Sequence, residues 1–340
     1  MAVEELNTIA RAIVADNKGV LAADESTGTI KKRLDSIGVE STEETRRAYR
    51  NLLFTTPGFE EYVGGVILYD ETIRQASDDG TPFAQLLESK GVVPGIKVDT
   101  GAQDLAGHPG EKVTEGLDGL RGRFAEYHQL GARFSKWRAV ITIGDGIPTD
   151  ACLHVNAHAL ARYAALSQEA GIVPIVEPEV LMDADNTIER CHEVTSRTLD
   201  LVFAELDRQG VALEGMLLKP NMVISGKQCP EQATSEQVAA QTIDCFLRYV
   251  PAMVPGIVFL SGGQSEVEAT ENLNAINRHG GPWPLSFSYG RALQASALTT
   301  WGGDAANVDA GQAAFLHRAR MNALAAAGDW NADLEQAVPA

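Results

Sequence analysis

Short apolar runs, rich in β-branched residues, alternate along this chain with longer stretches in which apolar positions recur at helical spacing. The short runs fall at residues 19–24, 64–70, 95–99, 134–141, 172–179, 214–222, 256–263 and 285–290, and they read as buried strands. The longer stretches, 42–54, 82–90, 118–130, 148–170, 187–209, 235–249, 265–277 and 310–327, predict helices. Helix starts carry capping residues: Ser41 or Thr42 before Glu43 and Glu44, and Thr149 beside Pro148. Gly131, Gly171 and Gly210 stand just past helix ends, where a left-handed residue is wanted. Regular strand–helix alternation implies parallel strands joined by helical crossovers. Eight such units predict an α/β fold of the (β/α)8 TIM barrel type, with a doubly wound open sheet as the alternative. No GxGxxG follows the first run, which counts against a dinucleotide fold. No linker divides the chain. The expectation is one domain over 1–340, with an N-terminal helix and a short flexible tail over 328–340.

Composition narrows the class of partner. With 46 acidic and 28 basic residues the formal charge is −18, which argues against nucleic acid or an anionic membrane. No apolar run is long enough to span a bilayer, and the N-terminus lacks the basic and apolar regions of a signal peptide. A cytoplasmic protein is expected. Cys152, Cys191, Cys229 and Cys245 are scattered and read as free thiols. His154 and His158 share a helix face but have no third ligand nearby in sequence, so no metal is expected.

Against that acidic background, the strand ends carry a distinctive set of ionisable groups. The first run ends in Asp24, followed by Glu25 and Ser26; the third carries Lys97 and Asp99. The fourth holds Lys136 and Arg138, and the fifth Glu177 and Glu179, each pair two residues apart and so on one face. The sixth ends in Lys219, directly before Pro220. Active sites of such barrels lie at the C-terminal strand ends. Inward charges are costly unless paired or used. A lysine in apolar surroundings can act as an amine nucleophile toward a carbonyl and form a Schiff base. The bland alternatives are a snorkelling Lys219 and a set of internal salt bridges.

The seventh and eighth runs end in glycine-bearing turns, Ser261-Gly262-Gly263 and Ser288-Tyr289-Gly290-Arg291. Backbone N–H groups at such turns, with an arginine beside them, suit a phosphate. A second anion site is expected near Ser26, with Arg33 and Lys97 as cationic partners. Two phosphates and one amine nucleophile suggest a sugar bisphosphate with a ketone between its ends.

The segments Ala23-Asp24-Glu25-Ser26, Ile96-Lys97-Val98-Asp99, Lys136-Trp137-Arg138, Val176-Glu177-Pro178-Glu179, Leu218-Lys219-Pro220-Asn221, Leu260-Ser261-Gly262-Gly263 and Ser288-Tyr289-Gly290-Arg291 closely resemble class I fructose-1,6-bisphosphate aldolase, in order along nearly the whole chain. The resemblance implies a metal-independent, cofactor-free lyase of glycolysis and gluconeogenesis that cleaves fructose 1,6-bisphosphate to dihydroxyacetone phosphate and glyceraldehyde 3-phosphate. It implies Lys219 as the Schiff-base lysine and Glu177 as the general acid in imine formation. Asp24 would be the base for the substrate 4-hydroxyl. Lys136 and Glu179 would belong to the same charge network. Ser261, Gly262, Gly290 and Arg291 would hold the 1-phosphate, and Ser26 and Lys97 the 6-phosphate. Gly263 and Ser288 belong to the same turns, while Arg33 and Arg138 would support phosphate and sugar. Family members resembling this chain are often homotetramers, so a homo-oligomer is expected.

Two departures from animal members stand out. Thr29 replaces an expected serine in the 6-phosphate loop, and no tyrosine follows Tyr289, so water or another group is expected to protonate the enamine. The competing readings are another Schiff-base aldolase of phosphorylated sugars, of the transaldolase or deoxyribose-phosphate aldolase kind, and a non-catalytic scaffold barrel.

Overall fold

A computed structural model describes residues 3–336. The chain opens with α1 (Val3–Ile13), β1 (Gly19–Ala23), α2 (Thr27–Asp35), α3 (Glu43–Thr55), β2 (Val63–Leu68), α4 (Asp70–Ile73), α5 (Phe83–Ser89) and β3 (Val93–Lys97). A hairpin of β4 (Gly101–Asp104) and β5 (Lys112–Glu115) follows, then α6 (Leu120–Gln129), β6 (Phe134–Ile141), α7 (Asp150–Glu169), β7 (Val173–Val180) and α8 (Ile188–Arg208). The rest comprises β8 (Leu217–Leu218), α9 (Ser235–Tyr249), β9 (Ile257–Phe259), α10 (Glu266–His279), β10 (Leu285–Tyr289), α11 (Arg291–Trp301) and α12 (Val308–Ala327). Eight parallel strands close in the order β1-β10-β9-β8-β7-β6-β3-β2, a (β/α)8 barrel.

The helix starts follow their capping chemistry. Thr42, Thr149 and Thr187 each accept a backbone N–H from the first turn of α3, α7 and α8. Gly131, Gly171 and Gly210 take positive φ just past α6, α7 and α8. Leu6, Ala10 and Ile13 of α1 pack against Val20, Ile67, Phe134, Ile175, Leu217 and Val258 from the strands. The helix seats at the N-terminal end of the barrel, where a Cβ on Gly64 would lie 2.2 Å from the Ile13 carbonyl oxygen. Phe134 fills the space above it; a Cβ on Gly95 would meet that ring at 2.3 Å. The bottom of the barrel is therefore an apolar plug, and the opposite end is left for chemistry. A second, larger core lies between the barrel wall and its helices, including Leu53, Phe54, Trp137, Tyr163, Phe246 and Phe259.

The structure departs from the sequence pattern in five places. The sixth strand, expected over 214–222, is two residues long, because Leu213–Gly215 forms a 3-10 turn and Pro220 has no N–H to donate. The chain still tracks the barrel wall there: Lys219 N donates to the Val176 carbonyl at 2.8 Å, and Leu260 N to the Pro220 carbonyl at 3.1 Å. The β4–β5 hairpin was not expected, nor was α11, which starts directly after β10. The fourth is α2, of which only a helix-like surface run at Lys31 to Arg33 was foreseen. Finally, the segment expected to be a flexible tail packs on the body over its described part. Trp330 is buried, and Glu335 pairs with Arg318 at 2.6 Å. Residues 337–340 lie outside the described residues. No described helix is long and apolar enough to cross a membrane.

Candidate active site

The C-terminal strand ends surround an open cavity of about 990 Å³. Parallel register puts the charged residues side by side: Lys97 of β3 is level with Lys136 of β6, and Arg138 of β6 is level with Glu177 of β7. Period-two alternation turns Lys136 and Arg138, and Glu177 and Glu179, inward together.

At the base, Lys219 Nζ lies 3.1 Å from Glu177 Oε1. Lys136 Nζ reaches Asp24 Oδ2 at 2.8 Å, Glu177 Oε2 at 3.3 Å and Asp99 Oδ2 at 4.0 Å. Glu177 Oε2 accepts no hydrogen bond of good geometry, so its link to Lys136 is an ion pair alone. Lys97 Nζ sits 2.6 Å from Asp99 Oδ1. Thus Asp24, Asp99 and Glu177 face Lys97, Lys136 and Lys219, three carboxylates against three ammoniums, all largely shielded from water. Arg138 and Glu179 form a separate pair beside them.

Two members of this array have shifted acidity. Burial pushes the Asp24 carboxyl upward, but the ammonium of Lys136, aided by Lys219 and Lys97, outweighs it and holds the group well below the usual carboxylate range. Burial works to lower Lys136, yet Asp24, Glu177 and Asp99 together keep it firmly cationic. A fixed cation beside a fixed carboxylate, next to a second lysine with its own carboxylate, can move a proton on and off an amine.

The cavity has cationic groups at both ends. On one side Gly290 opens α11 and Gly262 adopts φ +56°, with Arg291 Nη2 3.4 Å from the Gly262 carbonyl oxygen. Ser261 and Ser288 line the same wall, and Ser288 Oγ is buried without a partner. On the other side Ser26 precedes α2; its hydroxyl leaves the helix uncapped and sits 3.2 Å from Thr29 Oγ1. Lys32 and Lys97 also line the cavity, whereas Arg33, expected to serve the Ser26 site, reaches the Gly290 turn, where a Cβ on Gly290 would stand 3.4 Å from its Nη2. Such groups suit two anions held some distance apart.

A family model described as fructose-bisphosphate aldolase class-I matches residues 5–339. The chain belongs to the class I fructose-bisphosphate aldolase family. It is 58% identical to a probable fructose-bisphosphate aldolase class 1 of Xanthomonas campestris, over 97% of this chain and 99% of that protein. Fructose-bisphosphate aldolase 6, cytosolic, of Arabidopsis thaliana is 54% identical, over 97% of this chain and 92% of that protein. Among solved structures, the Plasmodium falciparum fructose-bisphosphate aldolase superposes with a TM-score of 0.95 at 50% identity, covering 97% of this chain and 96% of that one.

Of the residues singled out from the aldolase-like motifs, all but Gly263 come to the cavity wall. Gly263 turns away: a Cβ there would lie 1.9 Å from the Lys227 side chain, and its N–H points at Met182 Sδ. Sequence reasoning noted Asp99 and Glu25 but gave them no role. Asp99 holds Lys97 and accepts from Arg138 N at 3.2 Å, and Glu25 pairs with Arg33 and Arg50. Arg50 had no sequence signal, since it reads as one polar position of an amphipathic helix. The pair His154 and His158 lies away from this site; His158 Nδ1 contacts Glu205 at 2.9 Å across to α8.

Proposed function

We propose that this protein catalyses the reversible cleavage of fructose 1,6-bisphosphate to dihydroxyacetone phosphate and glyceraldehyde 3-phosphate through a Schiff base on Lys219. The observation that carries this reading is the buried Lys219–Glu177 contact of 3.1 Å at the base of a cavity with cationic groups at both ends.

Glu177 Oε1 is placed to take a proton from the Lys219 ammonium, which frees the amine to attack the C2 ketone. The same proton, returned to the carbinolamine hydroxyl, lets water leave and the imine form. Asp24 accepts the proton of the 4-hydroxyl as the C3–C4 bond breaks. The electron pair of that bond moves into the protonated imine and gives an enamine, while the aldehyde product departs. Protonation of the enamine carbon and addition of water to the imine release the second product and regenerate Lys219. Lys136 stays charged throughout, keeps Asp24 ionised and steadies Glu177. The turns at Ser261–Gly262 and Gly290–Arg291 hold the 1-phosphate, and Ser26 with Lys97 holds the 6-phosphate. Ser288, Arg33 and Arg138 assist from the same walls.

Borohydride reduction in the presence of fructose 1,6-bisphosphate, followed by peptide mass mapping, tests this chemistry. A reduced triose- or hexose-phosphate adduct on Lys219 is expected; an adduct on another lysine, or none, refutes it. Work in the cytoplasm as a homo-oligomer is part of the same proposal, supported by the family resemblance and by the cytosolic naming of the Arabidopsis relative. Light scattering on the purified protein tests the assembly, and a monomer at micromolar concentration would reject it.

A further inference from the structure

Glu25 is a buried carboxylate between Asp24 and Ser26 that touches none of the ammoniums at the base of the site. Its side chain instead ties three elements together. Oε1 pairs with Arg33 Nη1 of α2, and Oε2 pairs with Arg50 Nη2 of α3. From α11, Gln294 Nε2 donates to Glu25 Oε1 at 3.2 Å and to the Ala22 carbonyl at 2.8 Å. Arg50 is fully enclosed, its guanidinium 5.7 Å from the Tyr49 ring centroid and its Nη1 without any hydrogen-bond partner. The carboxylate is thus the anionic anchor of a buried arginine and of a second arginine, Arg33, that reaches the cavity wall.

Arg33 lies across the turn that begins α11. A Cβ on Gly290 would stand 3.4 Å from Arg33 Nη2. Resting on the proposed function, that turn receives a phosphate of the substrate. Two guanidiniums on one carboxylate leave one net positive charge at this wall. A guanidinium that is already fixed by a carboxylate loses little rotamer freedom when an anion arrives, so it binds more tightly than a loose one.

We propose that Glu25, with Arg50 as its buried counter-charge, is a positioning residue that holds Arg33 across the Gly290 turn and so sets affinity for the phosphorylated substrate. Glu25 acts through Arg33 and has no contact with the reacting carbons. Losing it raises KM and leaves kcat nearly unchanged.

The test is a cycle among Arg33→Met, Glu25→Gln and their combination. Glu25→Gln/Arg50→Met is made in parallel, because Glu25→Gln alone strands a buried charge; only one of these two need give folded protein. Steady-state cleavage of fructose 1,6-bisphosphate is measured, with thermal melts as a folding control. KM is expected to rise about tenfold in the Glu25 variants, corresponding to one lost charge-assisted contact, with kcat within about threefold. Adding the Glu25 change to Arg33→Met is expected to raise KM no further, since the two act in series. An unchanged KM in folded Glu25 variants overturns the proposal, as does a KM effect that multiplies with that of Arg33→Met. A melting shift without a KM shift reduces Glu25 to a structural residue and overturns it equally. Wild-type protein without turnover would instead overturn the proposed function, so the two failures are distinct.

Discussion

Replacing Lys136 with Met removes one ammonium from the array of three and leaves the carboxylates Asp24, Asp99 and Glu177 in excess by one charge. Lys136 is nearly enclosed and touches all three, so its loss resembles breaking a buried pair, which costs about 3–5 kcal/mol. The effect on Asp24 has a definite sign. A carboxyl whose folded pKa is depressed contributes stability above its unfolded value of about 3.9 and loses it as pH falls through the depressed value. In the wild type that contribution is present at neutral pH, because Lys136 holds Asp24 low against the cost of burial. In the Met variant the main opposing charge is gone and burial pushes Asp24 up. We therefore predict that the stability deficit, read by urea unfolding, is largest near pH 7–8 and shrinks as the solution is acidified. Cleavage should show the same shift. The wild type has no acid limb from Asp24 above about pH 5, whereas in the variant that limb moves upward in pH, with kcat near pH 8 lower by about 10³-fold as the base role is impaired. Retention of kcat within tenfold, together with a pH profile that superposes on the wild type, would refute the assignment of Lys136 to Asp24.

Three further outcomes follow from the packing. Gly95→Ala places a methyl 2.3 Å from the Phe134 ring, and should lower stability by more than about 2 kcal/mol in chemical denaturation; an unchanged midpoint would show that the plug is loosely packed. Gly262→Ala forces a side chain onto a φ of +56° and against Met182 Sδ; KM for the bisphosphate should rise at least about fivefold with the melting temperature nearly constant, and an unaltered KM would count against this turn as a phosphate cradle. Truncation after Gly328 removes Trp330 and Glu335 and leaves the enclosed Arg318 without its carboxylate, so the melting temperature should drop by several degrees while turnover at 25 °C falls less than about 100-fold. A larger loss of turnover in folded protein would give this segment a catalytic part.

The barrel was legible because parallel strands covered on both faces are near-continuous apolar runs, as in Val63–Leu68, and even Phe134–Ile141, which carries Lys136 and Arg138, has coinciding expected and observed bounds. β8 was overestimated because an apolar run reports burial and not ladder pairing, and Pro220 ends the ladder while burial continues. The β4–β5 hairpin escaped notice because its strands are short and mostly polar. α11 escaped because Gly290, which precedes it, offers no side-chain cap. Within the site, Lys219, Lys136, Glu177 and Asp24 were readable because charges at strand ends are costly and therefore informative. Arg50 was not, since a helical arginine normally lies in water and only the fold brings it to Glu25.

The plug formed by α1 has a consequence for how the protein is made. Leu6, Ala10 and Ile13 are synthesised well before Leu217 and Val258, against which they bury, while β1 waits to pair with β10 at Val20 and Ser288. At about 5–20 residues per second, the apolar face of α1 stays without its full seat for roughly 15–60 s of synthesis. The ring joins its first strand to its last, so no nascent chain that stops short of β10 can close it. Before closure the helix has only the partial seat offered by Val20, Ile67, Phe134 and Ile175.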